Sequence, residues 1–88
     1  VLDRNWRCAE GELDLVLKSK DSIVFCEVKA RRTDAYGSGA EAVTRRKQQR
    51  LRVLAYRWLA SHEHEWAALR FDVAEVTGTR ITVIERAF

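Results

Sequence analysis

Two strand-like runs separated by a short polar spacer constrain this chain more than any other feature. They are Gly-Glu-Leu-Asp-Leu-Val at Gly11 to Val16 and Ile-Val-Phe-Cys-Glu-Val-Lys at Ile23 to Lys29. Side chains alternate across a strand. The first run therefore sets Leu13, Leu15 and Leu17 against Glu12, Asp14 and Val16. The second sets Ile23, Phe25, Glu27 and Lys29 against Val24, Cys26 and Val28. The Ser19–Ser22 spacer has the length of a hairpin connection, so the pair reads as an antiparallel hairpin. Glu27 and Lys29 continue a face that begins as apolar core, where charge is costly unless paired.

The rest of the chain supplies few further elements. Asn5 to Cys8 reads as a short strand or turn entry anchored by Trp6. Arg31 to Gly37 reads as a polar loop. Ser38 and Glu41 have capping-box spacing, which predicts a helix start there. Val43, Lys47, Leu51, Leu54, Ala55, Trp58 and Leu59 then recur at helical intervals. The pattern fades at Ser61 to Glu65, which predicts roughly 20–24 helical residues. Leu69 to Val76 and Arg80 to Glu85 read as two more strands around a Thr77-Gly78-Thr79 turn.

With 88 residues, no repeats and no long linker, residues 1–88 form a single domain of the α/β or α+β kind. Hydrophobic residues make up 47 %, enough for a folded globule. One helix covers one face of a sheet, yet the opposite face is apolar in several strands. An N-terminal helix ahead of Val1, or a partner subunit in a homo-oligomer, is expected to cover it. No apolar run approaches the roughly 20 residues of a membrane span, and no charged-then-apolar leader is visible. Cys8 and Cys26 lack CxxC spacing and read as reduced thiols, so the expected location is cytoplasmic.

Charge is unevenly spread. Lys29, Arg31, Arg32, Arg45, Arg46, Lys47, Arg50, Arg52 and Arg57 face only Asp34 and Glu41 between positions 29 and 57. That stretch carries +7 and the remainder −4, a pattern that suits a polyanion such as nucleic acid or, equally, a solvated helix face.

In a hairpin held in register, Glu12, Asp14, Glu27 and Lys29 can converge on one patch. Three carboxylates about 4 Å apart repel by roughly 1 kcal/mol per pair in water, and about 4 at an effective dielectric of 20. One lysine does not offset that; a divalent cation does, and hard oxygen donors select Mg2+ or Mn2+. Such an ion beside a lysine suits phosphodiester hydrolysis. The alternative is a solvent-facing hairpin with Asp14 or Glu27 in an ion pair with Lys29 or Lys18. Lys47, with Gln48 beside it, interrupts the apolar helical stripe. It either reaches toward a phosphate at the acidic end of the sheet or snorkels over core.

GELDLV followed by VFCEVKARR resembles the bipartite motif of PD-(D/E)xK nucleases, with Asp14 as the first acid and Glu27-x-Lys29 as the second motif. More closely, NWRC, GELDLV, VFCEVKARR, YGSGAEAV, RKQQRL and RFDVAEV, in that order, are similar to the bacterial YraN-like family. That family is described as endonuclease-like and akin to Holliday-junction resolvases. The resemblance implies a restriction-endonuclease-like mixed sheet with an α-β-β-β-α-β core, whose first helix is absent from this chain. It also implies metal-dependent cleavage, with Asp14, Glu27 and Lys29 catalytic. Glu12, Asp14, Glu27 and the Val28 carbonyl become metal ligands. Gly39 stands where many relatives have proline.

The expected function is a Mg2+- or Mn2+-dependent endonuclease acting on nucleic acid, DNA before RNA. Arg31, Arg32, Arg45, Arg46, Lys47, Gln48 and Arg50 would contact the phosphates. A non-catalytic nucleic-acid-binding or assembly module on the same scaffold is the alternative. Asp72 is expected to pair with an arginine rather than join the acidic patch. His62 and His64, two apart on a helix, do not make a metal pair. Tyr36 reads as a turn residue or a base-stacking one, and Trp58 as core.

Overall fold

A computed structural model describes residues 1–31 and 43–88. Five strands form one sheet in sequence order: β1 (Asp3–Cys8), β2 (Gly11–Ser19), β3 (Ser22–Arg31), β4 (Ala68–Thr77) and β5 (Arg80–Ile84). All neighbours pair antiparallel except β3 and β4, which run parallel from Ser22↔Ala68 to Arg31↔Thr77. Parallel neighbours need a crossover, and the helix α1 (Arg45–Ser61) lies in it. The architecture is a mixed α/β domain, with the hairpin and the two late strands where the periodicity put them. No helix among the described residues is long and apolar enough to cross a membrane.

The helix packs on one sheet face. Leu51, Leu54, Ala55 and Trp58 from α1 meet Leu13, Val16, Ile23, Phe25, Phe71 and Val73 from the sheet, with Val43 beside them. Trp58 is fully buried, and its indole N–H donates to Asp3 Oδ2 at 3.0 Å. This bond, chiefly, holds the Asp3 carboxyl below its ordinary range. Phe25 meets Trp58 edge-on and Phe71 stacked, which ties helix and both parallel strands into one cluster.

Directly paired residues share a face, so the register also defines the other side. Leu15, Leu17, Val24, Cys26, Val28, Ala74, Val76, Ile81 and Val83 fall there. Ile81 and Val83 are more than half exposed. Among the described residues no helix lies over them, as the one-helix reading anticipated. Both cysteines are free thiols.

Two expectations need correction. The helix does not run on from Ser38: Thr44 is extended (φ −66°, ψ 161°) and caps a helix of 17 residues beginning at Arg45. Ser38, Gly39 and Glu41 lie outside the described residues, as do Tyr36 and Arg32. Nor does β2 alternate cleanly, because Leu13 and Val16, three apart, both enter the core. The cause is local. Asn5 takes a left-handed backbone (φ 52°), which asparagine tolerates better than most residues. In the β1–β2 register the ladder skips Asn5 and Asp14, which face one another. Arg4 and Asn5 on β1, like Asp14 and Leu15 on β2, then point the same way, and every later position changes face.

Candidate functional site

The sheet opens where these residues meet. β2 and β3 pair from Ser19↔Ser22 as far as Leu15↔Cys26 and no further. Past that point the Asp14 side chain replaces the ladder: its Oδ2 accepts the Val28 N–H at 2.9 Å. Asp14 thus sits in a fork between the strands. It lines an open cavity of about 420 Å³ with Arg4, Asn5, Leu15 and Val28.

Glu27 approaches the same fork from the helix-covered face, continuing the Ile23 and Phe25 side of β3. Its side chain is only 12 % exposed, and its Oε1 meets Lys47 Nζ at 3.0 Å. Lys47 reaches it because Thr44 Oγ1 caps the Lys47 N–H at 3.2 Å, which fixes the first turn of α1 over the end of β3. Gln48 spends its side chain on the Val43 carbonyl at 3.1 Å.

Lys29, two residues beyond Glu27, lies against Lys47. Its ammonium is held below the usual lysine range, first by its hydrogen bond to Lys47, then by burial and by the Lys47 charge. Glu27 and Asp14 oppose that shift. Lys47 is raised by the same contact with Lys29 and by its bond to Glu27. Of the two amines, Lys47, beside the carboxylate, therefore holds its proton the more firmly. Two carboxylates and two lysines make a cluster close to neutral.

The expected residues divide three ways. Asp14, Glu27, Lys29 and Lys47 come together, with the Val28 backbone between them. Glu12 does not join them, since it bonds Arg7 Nε across the β1–β2 ladder at 2.8 Å. Among the described residues no three acidic, histidine or cysteine side chains form a metal cage. Arg45, Arg46 and Arg50 are exposed along the start of α1. Arg31 ends β3, and Arg32 lies outside the described residues.

The remaining charged residues fall into place. Asp72 is 3 % exposed and holds Arg70 by two bonds of 3.0 Å, plus the Arg86 N–H at 3.1 Å, so it pairs with an arginine as expected. That contact is also the main reason the Arg70 guanidinium is raised further above its already high range. Lys18 donates to the Glu65 carbonyl and takes no part in the cluster. His62 stacks on Trp58 and lies 3.5 Å from Asp3, and the His64 ring also lies parallel to Trp58. Sequence reasoning missed Asn5, whose left-handed backbone forms the fork. An asparagine inside an otherwise strand-like run was the available signal.

The donor chemistry fits a hard divalent cation. Asp14 and Glu27 supply carboxylate oxygens on either side of the Val28 backbone, with no soft ligand between them.

Fold and site together define a mixed α/β domain with a carboxylate–lysine cluster at a fork in its sheet. The chain belongs to the uncharacterised protein family UPF0102, whose profile matches residues 1–76; this is the YraN-like family that the motifs resemble. A UPF0102 protein of Frankia casuarinae is 60 % identical over 77 residues, covering 88 % of this chain and 65 % of the relative. One from Frankia alni is 58 % identical over 77 residues, with 88 % and 64 % covered. Another, from Beutenbergia cavernae, is 52 % identical over 80 residues, with 91 % and 68 % covered. The chain spans slightly less than two thirds of the Frankia proteins.

Proposed function

We propose that the fork is the catalytic centre of a metal-dependent nuclease on a restriction-endonuclease-like core. The observation that supports this most is the meeting of Asp14, Glu27 and Lys29 where β2 leaves β3. Asp14, Glu27 and the Val28 carbonyl would hold Mg2+ or Mn2+. When bound, the ion polarises a phosphate and supplies hydroxide near neutral pH. Lys29 would stabilise the charge that develops on the phosphate. Lys47 pairs with Glu27 at 3.0 Å and would turn to a phosphate if a cation engaged that carboxylate. Arg45, Arg46 and Arg50 lie along the adjoining helix and neutralise backbone phosphates, so affinity falls as salt rises.

One observation favours a second reading, a non-catalytic nucleic-acid-binding module. The Lys47 ammonium already balances Glu27, so the fork has less need of a metal. A Mn2+ titration followed by NMR line broadening separates the two. The nuclease reading expects selective broadening around Asp14, Glu27 and Val28 that disappears in Glu27→Gln. Diffuse or absent broadening in the folded protein, with salt-sensitive DNA binding indifferent to Mg2+, would leave the binding module.

A further inference from the structure

A second cationic cavity lies away from the fork, beside the later turns of α1. It measures about 260 Å³, and Arg52, Tyr56, Arg70, Phe71, Arg86 and Phe88 line it. Arg52 borders it from the helix and Arg86 from the residues after β5, while Arg70 turns its guanidinium to the other sheet face, where Asp72 holds it. Arg52 lies 4.8 Å above the Phe71 ring and 5.8 Å from that of Phe88. Arg70 is gripped by the buried Asp72 and lies 3.8 Å from Glu85. Arg86, in a left-handed backbone (φ 50°), gives its N–H to the same Asp72 carboxylate. The neighbouring Ala87 N–H bonds the Phe71 carbonyl at 2.8 Å, which pins the final residues along the free edge of β4.

The charges do not cancel there. Asp72 and Glu85 are spent on Arg70, and among the described residues no carboxylate pairs with the side chain of Arg52 or Arg86. The planar donors of a guanidinium match phosphate oxygens. Aromatic rings adjoin them: Phe88 stacks on Phe71 at 5.2 Å, and Tyr56 stands two-thirds exposed at the rim. Rings beside cations are what a single base with its phosphate requires. The volume, about 260 Å³, is slightly below the ~300 Å³ lower bound of ordinary ligand sites, so the cavity takes at most one nucleotide unit and no duplex.

We infer that this cavity binds one nucleotide unit, its phosphate on Arg52 and Arg86 and its base against Tyr56. The unit comes from a single strand or from a free nucleotide. The inference rests on the nucleic-acid reading above for the strand as source, but it uses none of the fork's residues.

Amide NMR titrations with AMP, adenosine, inorganic phosphate and a 5′-phosphorylated oligothymidine test it. AMP is expected to shift Arg52, Tyr56, Arg86 and Phe88 with saturation in the millimolar range, and adenosine is expected to bind more weakly. Arg86→Gln is expected to weaken AMP about tenfold, the loss of one charge-assisted contact. Tyr56→Ala, at an exposed position, weakens AMP but not phosphate, and it serves if Arg86→Gln fails to fold. An oligonucleotide that binds tighter than AMP identifies a strand as the source; equal binding identifies the free nucleotide. Glu27→Gln leaves AMP binding unchanged, so failure at the fork and failure here are distinguishable. No shift in this cavity at about 10 mM AMP, or shifts that survive both substitutions, would overturn the inference and leave the aromatic–arginine stack as a tether for the last residues.

Discussion

Cys26 shows how much a single position on β3 is set by its neighbours. Its thiol is pushed up from 9.0 to about 11, first by burial and then by the charges of Asp72, Asp14 and Glu27. The unfolded chain releases this proton near 9 and the folded chain near 11. Between those values the folded state binds more protons, so stability is intact below pH 9 and declines as pH rises toward 11. The shift corresponds to about 3 kcal/mol at most. Urea unfolding at about pH 8 and about pH 10 should show a loss in the native protein that is smaller in Cys26→Ala. Equal losses in both would remove Cys26 as the source. Some residue-level facts were legible beforehand. Lys47 interrupts an apolar stripe and was bound to face the sheet, and Asp72 in a strand flanked by Phe71 and Val73 needed a cation. The left-handed Asn5 was signalled only by its residue type, because asparagine tolerates that conformation without requiring it.

Among the elements, α1 depends on its first turn. Thr44 accepts the Lys47 N–H, so one hydroxyl both starts the helix and sets the lysine against Glu27. Thr44→Ala should cost about 1 kcal/mol in urea unfolding. It should also weaken the coupling between Lys47 and Glu27, visible as a changed 15N shift of the Lys47 ammonium. A stable variant with that resonance unmoved would show that the cap does not position the site. Gly11 makes a similar link at the start of β2. Its backbone (φ 144°) suits glycine, and an added Cβ would touch Leu54 of α1 at 3.6 Å. Capping logic could not choose the helix start, since Ser38 and Thr44 are both suitable residue types. The structure sets the cap at Thr44, whose extended backbone and side-chain oxygen begin the helix.

For the whole molecule, Trp58 joins the parts. Its ring contacts Phe25 of β3 and stacks on His62 and His64, and its N–H holds Asp3 of β1. Trp58→Ala should cost about 3–5 kcal/mol. A small domain has about 5–15 kcal/mol in total, so the variant should lose most of its cooperative transition by circular dichroism. A variant melting close to the native protein would mean the core is less dependent on this residue than its full burial indicates.

The sequence by itself determined the strands, the helix, the face carried by β3, and the residue types at the fork, because each follows from a period of two or 3.6 residues read locally. Tertiary structure decided the parallel pairing of β3 with β4, the change of face at Asn5 and Asp14, the withdrawal of Glu12 to Arg7, and the contact of Lys47 with Glu27 and Lys29. These join residues far apart in the chain, or depend on which of two permitted backbones the neighbours stabilise. Local periodicity carries no information about either.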